Sequence, residues 1–458
     1  MNECSIAETK TYTSCASLAA LGVKLNEMNL FEPIRRRVQI AQKTVKDRPI
    51  DKVSDGWIAL LAGAHGLVEI NSRLRAEPAL QVAFGRSRCA EQSVVQQTLD
   101  ACTQENVQQM EEALDEIYRQ HSQGYQHDFR REYLLLDVDL SGMPCGPTAA
   151  FASKGYFAKQ RNRRGRQLGR VLASQYDEVV VDRLFEGTVQ LNRALIPLMQ
   201  AAERTLGLDE AKRRRTIVRV DAGGGSVQDI NWLLARGYQL LIKDDSTPRA
   251  QRLAQRVMWW AEDTKVAGRQ VGWVQTPATE YGRPVRRIAV RSRKANGQWA
   301  IGVLIVTLTP VEILQLTQQP GADPNSTPEG VLLTYVTFYD QRGGAAETSF
   351  KGDKQGLGIT KRTKKHFAAQ QMVMLLGLLA HNVIVWARRW LAAPKLTRYG
   401  IMRMVRDVFH LSGFLVRTSS GSILQIVLNC AAPLASSLRE PLGVLLAPAH
   451  VAVILDKT

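Results

Sequence analysis

Three carboxylates stand where an α/β chain tends to put chemistry. Asp139 lies at the end of the apolar run Tyr133–Leu140, Asp221 closes Thr216–Asp221, and Glu347 opens a helical stretch just after a strand-like one. Strand ends and adjoining helix starts are where open α/β sheets bind ligands. A carboxylate at the end of a buried strand is costly unless it is paired or binds a cation. Three converging on one sheet edge would repel one another, and Mg²⁺ or Mn²⁺, hard ions that take oxygen ligands, would relieve the repulsion. Two such ions about 4 Å apart activate an attacking oxygen and stabilise a leaving one in phosphodiester chemistry. Taken singly, each acid fits a strand-end cap or a salt bridge to an arginine equally well. Asp137 is a rival ligand, because two residues before Asp139 it points to the same face of the strand.

Residues 1–128 are expected to be helical, with apolar positions at spacings of three and four. Within them, Gly85–Leu99 reads either as a helix-turn-helix or as two packed core helices. From 129 to 245 the pattern is α/β: strands at Tyr133–Leu140, Val179–Leu184, Thr216–Asp221 and Tyr238–Lys243, with a helix at Gly187–Leu206. A second helix is expected over Val227–Arg236, capped by Ser226 and ended by Gly237. Residues 246–330 read as a β-rich insertion, with a tight turn at Asn296-Gly297 between Val285–Arg293 and Trp299–Leu308. Residues 331–391 return to the core, with Val331–Tyr339 as a strand and Glu347–Trp390 as helix, and 392–458 form a last segment with a strand near Ser422–Leu428.

The order of these blocks resembles the DDE transposases of bacterial insertion sequences, the ribonuclease-H-like group with a tyrosine–arginine–glutamate–lysine signature. The first block is Leu136-Asp-Val-Asp139-Leu-Ser141, and the second runs from Arg219-Val-Asp221 through a Gly run and a helix to Tyr238. The third is Tyr339-Asp-Gln-Arg342-Gly-Gly-Ala-Ala-Glu347, followed by Lys354. One departure stands out: four residues separate Arg342 from Glu347 where the family usually has three, and the Gly343-Gly344 pair is expected to absorb the extra one in a loop. The seven-residue step from Glu347 to Lys354 is two helical turns and puts both on one face.

The resemblance implies a fold, an activity and a set of roles. The fold is α/β: a ribonuclease-H-like core with a β-rich insertion and a helical N-terminal region that binds transposon ends. Asp139, Asp221 and Glu347 would hold two divalent cations, Mg²⁺ or Mn²⁺. Tyr339, Arg342 and Lys354 would grip phosphates near the cut, the arginine by forked hydrogen bonds and the lysine as a point charge. The partners would be double-stranded DNA, both terminal inverted repeats and target, bound by a homodimer in a prokaryotic cytoplasm. The family also forms a hairpin intermediate and stacks an insertion-domain aromatic on a flipped base. Trp299, on a short basic hairpin, is favoured for that role over Trp259, Trp260 and Trp273, although a tryptophan in the insertion's own core is the alternative for each. Two other functions remain open: a nuclease of the same fold that does not join strands, and a non-catalytic DNA-binding protein derived from a transposase.

Composition supports a polyanionic partner. The 458 residues hold 60 Lys and Arg against 43 Asp and Glu, a net charge of +17, which favours nucleic acid or an anionic surface. Tyr156–Arg170 carries six basic residues and no acid, so Lys159, Arg163, Arg164 and Arg166 are expected to contact DNA phosphate. Further basic clusters lie at Lys212–Arg215, Arg283–Lys294 and Lys361–Lys365. Apolar residues make up 45%, an ordinary globular share that excludes wholesale disorder. Six scattered cysteines without CxxC spacing argue against a disulfide framework or a zinc site and fit a reducing compartment. Gly223–Gly225 lacks the lysine of a P-loop. The polar N-terminus leads to no expected secretory signal, and Met372–Ala387, about 16 residues, is short for a bilayer span and reads as a buried core helix.

Overall fold

The computed structural model describes residues 8–43, 46–155, 157, 162–317 and 327–457. The chain packs into two units: one comprises Met1–His121, Pro144–Ala152 and Ser349–Thr458, the other Ser122–Met143 and Ser153–Thr348. The strands, in chain order, are β1 (Glu8–Thr13), β2 (Leu134–Pro144), β3 (Ser153–Lys154), β4 (Arg164–Ala173), β5 (Glu178–Glu186), β6 (Thr216–Val220) and β7 (Gln239–Lys243). They continue as β8 (Ala261–Glu262), β9 (Arg269–Trp273), β10 (Arg286–Arg293), β11 (Trp299–Val306), β12 (Gly413–Thr418), β13 (Ile423–Asn429) and β14 (Ala452–Asp456).

The first unit gathers helices and a four-stranded sheet in the order β1-β12-β13-β14. At its centre is the Phe367–Leu391 helix, buried from Ala369 to Ala387 and packed by the Gln104–His121, Pro49–Leu61 and Ala435–Leu446 helices. Among the described residues this is the helix long and apolar enough to cross a membrane, and its most apolar window is 94% buried inside the fold. The Gln92–Asp100 helix, on the stretch read as a possible helix-turn-helix, inserts Val95, Thr98 and Leu99 against the Pro49–Leu61 and Phe367–Leu391 helices. In the Lys361–Lys365 cluster, Arg362 and Lys364 are buried rather than solvated. Burial pushes the Lys364 ammonium down to about 8 against the opposing pull of Asp100.

The second unit is built on one sheet of order β3-β4-β2-β6-β7-β11-β10-β9-β8, with β5 paired to β4. β2, β6 and β7 run parallel. β7–β11, β11–β10 and β10–β9 are antiparallel. The chain leaves β2 for β4 on one side and returns to β6 on the other, so the crevice between β2 and β6 is a topological switch point. Several expectations hold here. Ser226 caps Val227–Ala235 by accepting from the Asp229 N–H, Gly237 follows with φ +94°, and Gly297 takes φ +79° in the β10–β11 turn.

Residues 246–330 carry β8, β9, β10 and β11, and β11 hydrogen-bonds directly onto β7, so these strands extend the core sheet. Three expectations do not hold. Val331–Tyr339 is not a strand. It lies inside the Pro328–Arg342 helix, capped by Thr327 and carrying Pro at its first turn. The run of aliphatic and aromatic residues mimics a strand, but Leu332, Tyr335, Val336 and Phe338 pack on the sheet at helical spacing, and the Thr-Pro start is an N-terminal helix signal. Asp139 sits midway along β2 rather than at its end, although the pairing of β2 with β6 stops just before it. Finally, the extra residue between Arg342 and Glu347 forms no loop: Gly343–Glu347 is a π-helical turn that joins Pro328–Arg342 to the Thr348–Gly356 helix.

Candidate active site

The register of two parallel strands creates the site. Asp137 pairs with Arg219 and Val138 with Val220. One residue further along both chains come Asp139 and Asp221, brought side by side although 82 residues apart in sequence. Strand alternation puts Asp137 and Asp139 on one face, with Arg219 and Asp221 on the same face of the neighbouring strand. The Pro328–Arg342 helix covers that face: the Phe338 carbonyl accepts from Arg219 Nη1 at 2.8 Å, and Tyr339 Oη donates to the Val220 carbonyl at 3.4 Å. Asp221 accepts from the Gly223 N–H at 2.9 Å and so opens the turn after β6.

Arg342 reaches down from the helix end to Asp139, with Nη1 3.7 Å from Oδ2. The arginine is 7% exposed, and among the described residues its Nε and Nη1 have no hydrogen-bond partner. Burial opposes its charge, but Tyr339, Asp139, Asp221 and Asp137 together outweigh burial and hold the guanidinium above its ordinary range. Its carbon lies 5.8 Å from the Tyr339 ring centroid. Burial also pushes the Tyr339 phenol up to about 12, and Asp221 adds to the push.

Asp139 feels both other acids electrostatically. Its carboxyl is pushed up to about 6, first by burial and then by the negative charges of Asp221 and Glu347, against the pull of Arg342 and the Leu140 N–H. Glu347 closes the π turn and is exposed. A π turn bonds residue i to i+5 where an α-turn bonds i to i+4. The five-residue step from Arg342 to Glu347 therefore keeps both on about the same face, as a four-residue step does in an α-helix.

Chemically, the site offers oxygen ligands and a buried acid whose charge its neighbours disfavour, and a hard divalent cation fits that donor set. As the side chains stand, among the described residues no three His, Cys, Asp or Glu gather closely enough to ligate one ion. Asp137 is not a ligand candidate. It is fully buried and held by Arg219 in a fork, Nε to Oδ1 at 2.6 Å and Nη2 to Oδ2 at 2.8 Å.

The other expected site residues divide. Arg163 and Arg164 are exposed at the start of β4. Arg166, expected on a DNA-facing surface, is instead 1% exposed inside β4, because from Gly165 to Ala173 the strand is buried on both faces. Lys159 lies outside the described residues. Lys354 is half-buried on Thr348–Gly356, where most of the helix belongs to the first unit. Trp299 opens β11 and is 37% exposed. The Arg291 guanidinium lies 4.6 Å from its ring centroid and 4.0 Å from that of Trp260, a cation–π stack. The sequence reading missed Arg219. The signal was present: one charge in each of two apolar strands, two residues before each acid.

No family model matches this chain, and no curated protein matches it. Among solved structures it is similar to a piggyBac transposase synaptic complex with hairpin DNA, determined by cryo-electron microscopy. The TM-score is 0.47 at 10% sequence identity, covering 88% of this chain and 82% of that one. At that level the likeness carries no functional weight.

Proposed function

We propose that the protein is a DNA transposase that cuts transposon ends and joins them to target DNA. The observation that carries this reading is the rung of parallel pairing that ends at Val138 and Val220 and so sets Asp139 beside Asp221, with the electrostatic reach of Glu347 converging on the same carboxyl. Asp139, Asp221 and Glu347 are the residues that would hold Mg²⁺ or Mn²⁺, two ions per site. Bound there, the ions would polarise the scissile phosphodiester and lower the pKa of the attacking water or hydroxyl.

The chain's own residues supply the rest. Arg342 offers guanidinium N–H groups without partners to a phosphate oxygen, and Tyr339 holds it from one side. Lys354 adds a point charge further along the chain. Arg163 and Arg164 meet the phosphate backbone from the exposed start of β4, and Trp299 offers a ring face for a base. The helical region 1–128 binds the transposon ends, and the net charge of +17 favours DNA throughout. Hydrolysis frees a 3′-hydroxyl, and the same in-line geometry then serves its attack on target DNA. The protein works as a homodimer on DNA in a prokaryotic cytoplasm.

The test incubates purified protein with a labelled transposon end, a target plasmid and Mg²⁺. Cut and joined products support the reading. Cutting without joining assigns a nuclease of the same fold, and binding without cutting assigns a non-catalytic DNA-binding protein. Asp221→Asn is expected to abolish cutting and spare DNA binding, measured by gel shift; retained cutting removes Asp221 from the site.

A further inference from the structure

The two strands that carry Asp139 and Asp221 share a second rung that takes no part in the proposed chemistry. Arg219 is 2% exposed and Asp137 is fully buried. They face each other in the parallel register and are joined by both forked bonds described above. The same guanidinium makes two more contacts: Nη1 donates to the Phe338 carbonyl at 2.8 Å and Nη2 to Ser174 Oγ at 3.2 Å. Its carbon also lies 5.0 Å from the Phe338 ring centroid. One side chain thus ties together β2, β6, the turn after β4 and the helix that leads to Arg342 and Glu347.

We propose that Arg219 is the positioning residue of this site: through Asp137 it fixes the register of β2 against β6, and through Phe338 it seats the helix that brings Arg342 and Glu347 over the two acids. A slip of one residue in a strand pair turns every side chain to the other face. A forked, fully desolvated pair resists such a slip because either partner alone would be a buried unpaired charge. A lysine at 219 keeps the charge but has no planar fork and cannot reach three acceptors in those directions. The inference rests on the transposase reading for its activity readout and on geometry for the rest.

The test compares wild type, Arg219→Lys and Arg236→Lys, using DNA cutting against Mg²⁺ concentration and Mn²⁺ binding followed by electron paramagnetic resonance. Arg236 ends the Val227–Ala235 helix and forms a forked pair with Glu203 on the Leu191–Leu206 helix, so the pair joins two helices and involves neither β2 nor β6. Its substitution lowers thermal stability without touching the site. In Arg219→Lys the half-saturating metal concentration is expected to rise and the cutting rate to fall, each by about 10- to 100-fold, the usual range for residues that orient metal ligands. DNA affinity should change far less than metal affinity, since the proposed phosphate contacts Arg163 and Arg164 lie at the start of β4 rather than on the helix that Arg219 seats. Arg236→Lys should shift melting temperature alone. If Arg219→Lys behaves like Arg236→Lys, the proposal is overturned. Should Arg219→Lys not fold, Asp137→Asn takes its place, with the same expected shifts and the same overturning result. Wild type that binds Mn²⁺ but does not cut overturns the transposase reading only, and the metal affinities then decide the role of Arg219. Wild type that neither binds Mn²⁺ nor cuts overturns both.

Discussion

Strand β4 and the strand pair β2–β6 carry charge into the same sheet, and they resolve it differently. On β4, Arg170 lies opposite Asp182 on β5 and pairs with it at 2.7 Å, both sealed from solvent. That charge is neutralised locally, and the strand continues as core. On β2 and β6 the first rung, Asp137 with Arg219, is neutralised in the same way. The next rung sets acid beside acid, with Arg342 at 3.7 Å as the nearby counter-charge to Asp139. The Asp139 carboxyl is driven up to about 6, first by burial, with Asp221 and Glu347 adding to the rise and Arg342 opposing it. A buried charge with its own partner is structure. Buried charges whose neighbours repel them are where a ligand has something to gain.

Removing a partner from each kind of rung separates the two. Asp182→Ala removes both forked bonds to the buried Arg170, and the expected loss is about 3–5 kcal/mol of unfolding free energy, measured by denaturant titration. A loss below about 1 kcal/mol would mean that β4 is not balanced as described.

Asp139→Asn is expected to go the other way in chelator at pH 7.5, stabilising the fold by about 2 kcal/mol. The native carboxyl holds its proton more tightly than the unfolded one. Wild-type stability is therefore full below the ordinary carboxylate range and falls as pH rises through about 6. The advantage of Asp139→Asn should accordingly shrink as pH drops from 6 towards 4. A difference that does not change with pH would remove the electrostatic imbalance from the comparison.

The exposed start of β4 gives a smaller effect. Arg163→Ala with Arg164→Ala should flatten the dependence of log affinity on log salt by about 2, roughly 0.9 for each phosphate no longer neutralised. An unchanged slope would confine both arginines to solvent. The smallest effect tests the π turn. A Cβ on Gly344 would meet nothing within 4 Å, so Gly344→Ala should add about 0.5–1 kcal/mol by helix propensity and leave cutting unchanged. A fall in cutting would mean that this turn must flex.

Much of the frame was legible in the chain. Alternation within Leu134–Asp139 and Thr216–Asp221 set which side chains share a face, Ser226 and Gly237 bounded a helix, and Asn296-Gly297 made a turn. All of these are local preferences of backbone and side chain. The same local reasoning misread Val331–Tyr339, where helix and strand share a composition and the Thr327-Pro328 start was the discriminating signal. It also took the basic run as surface, although Arg166 and Arg170 are buried with the rest of β4 beyond Arg164, and only the elements packed on both faces of that strand decided this.

The sequence by itself determined which residues carry the acids, the order of the elements that present them, and the excess of positive charge. Only the tertiary structure decided the partners: Asp137 with Arg219, Arg342 with Asp139, Arg170 with Asp182, and a π turn in place of a loop. Charge pairing depends on distance in space, and Asp137 and Arg219 are 82 residues apart along the chain, so no local pattern could say which buried charge would find a partner and which would be left facing its own kind.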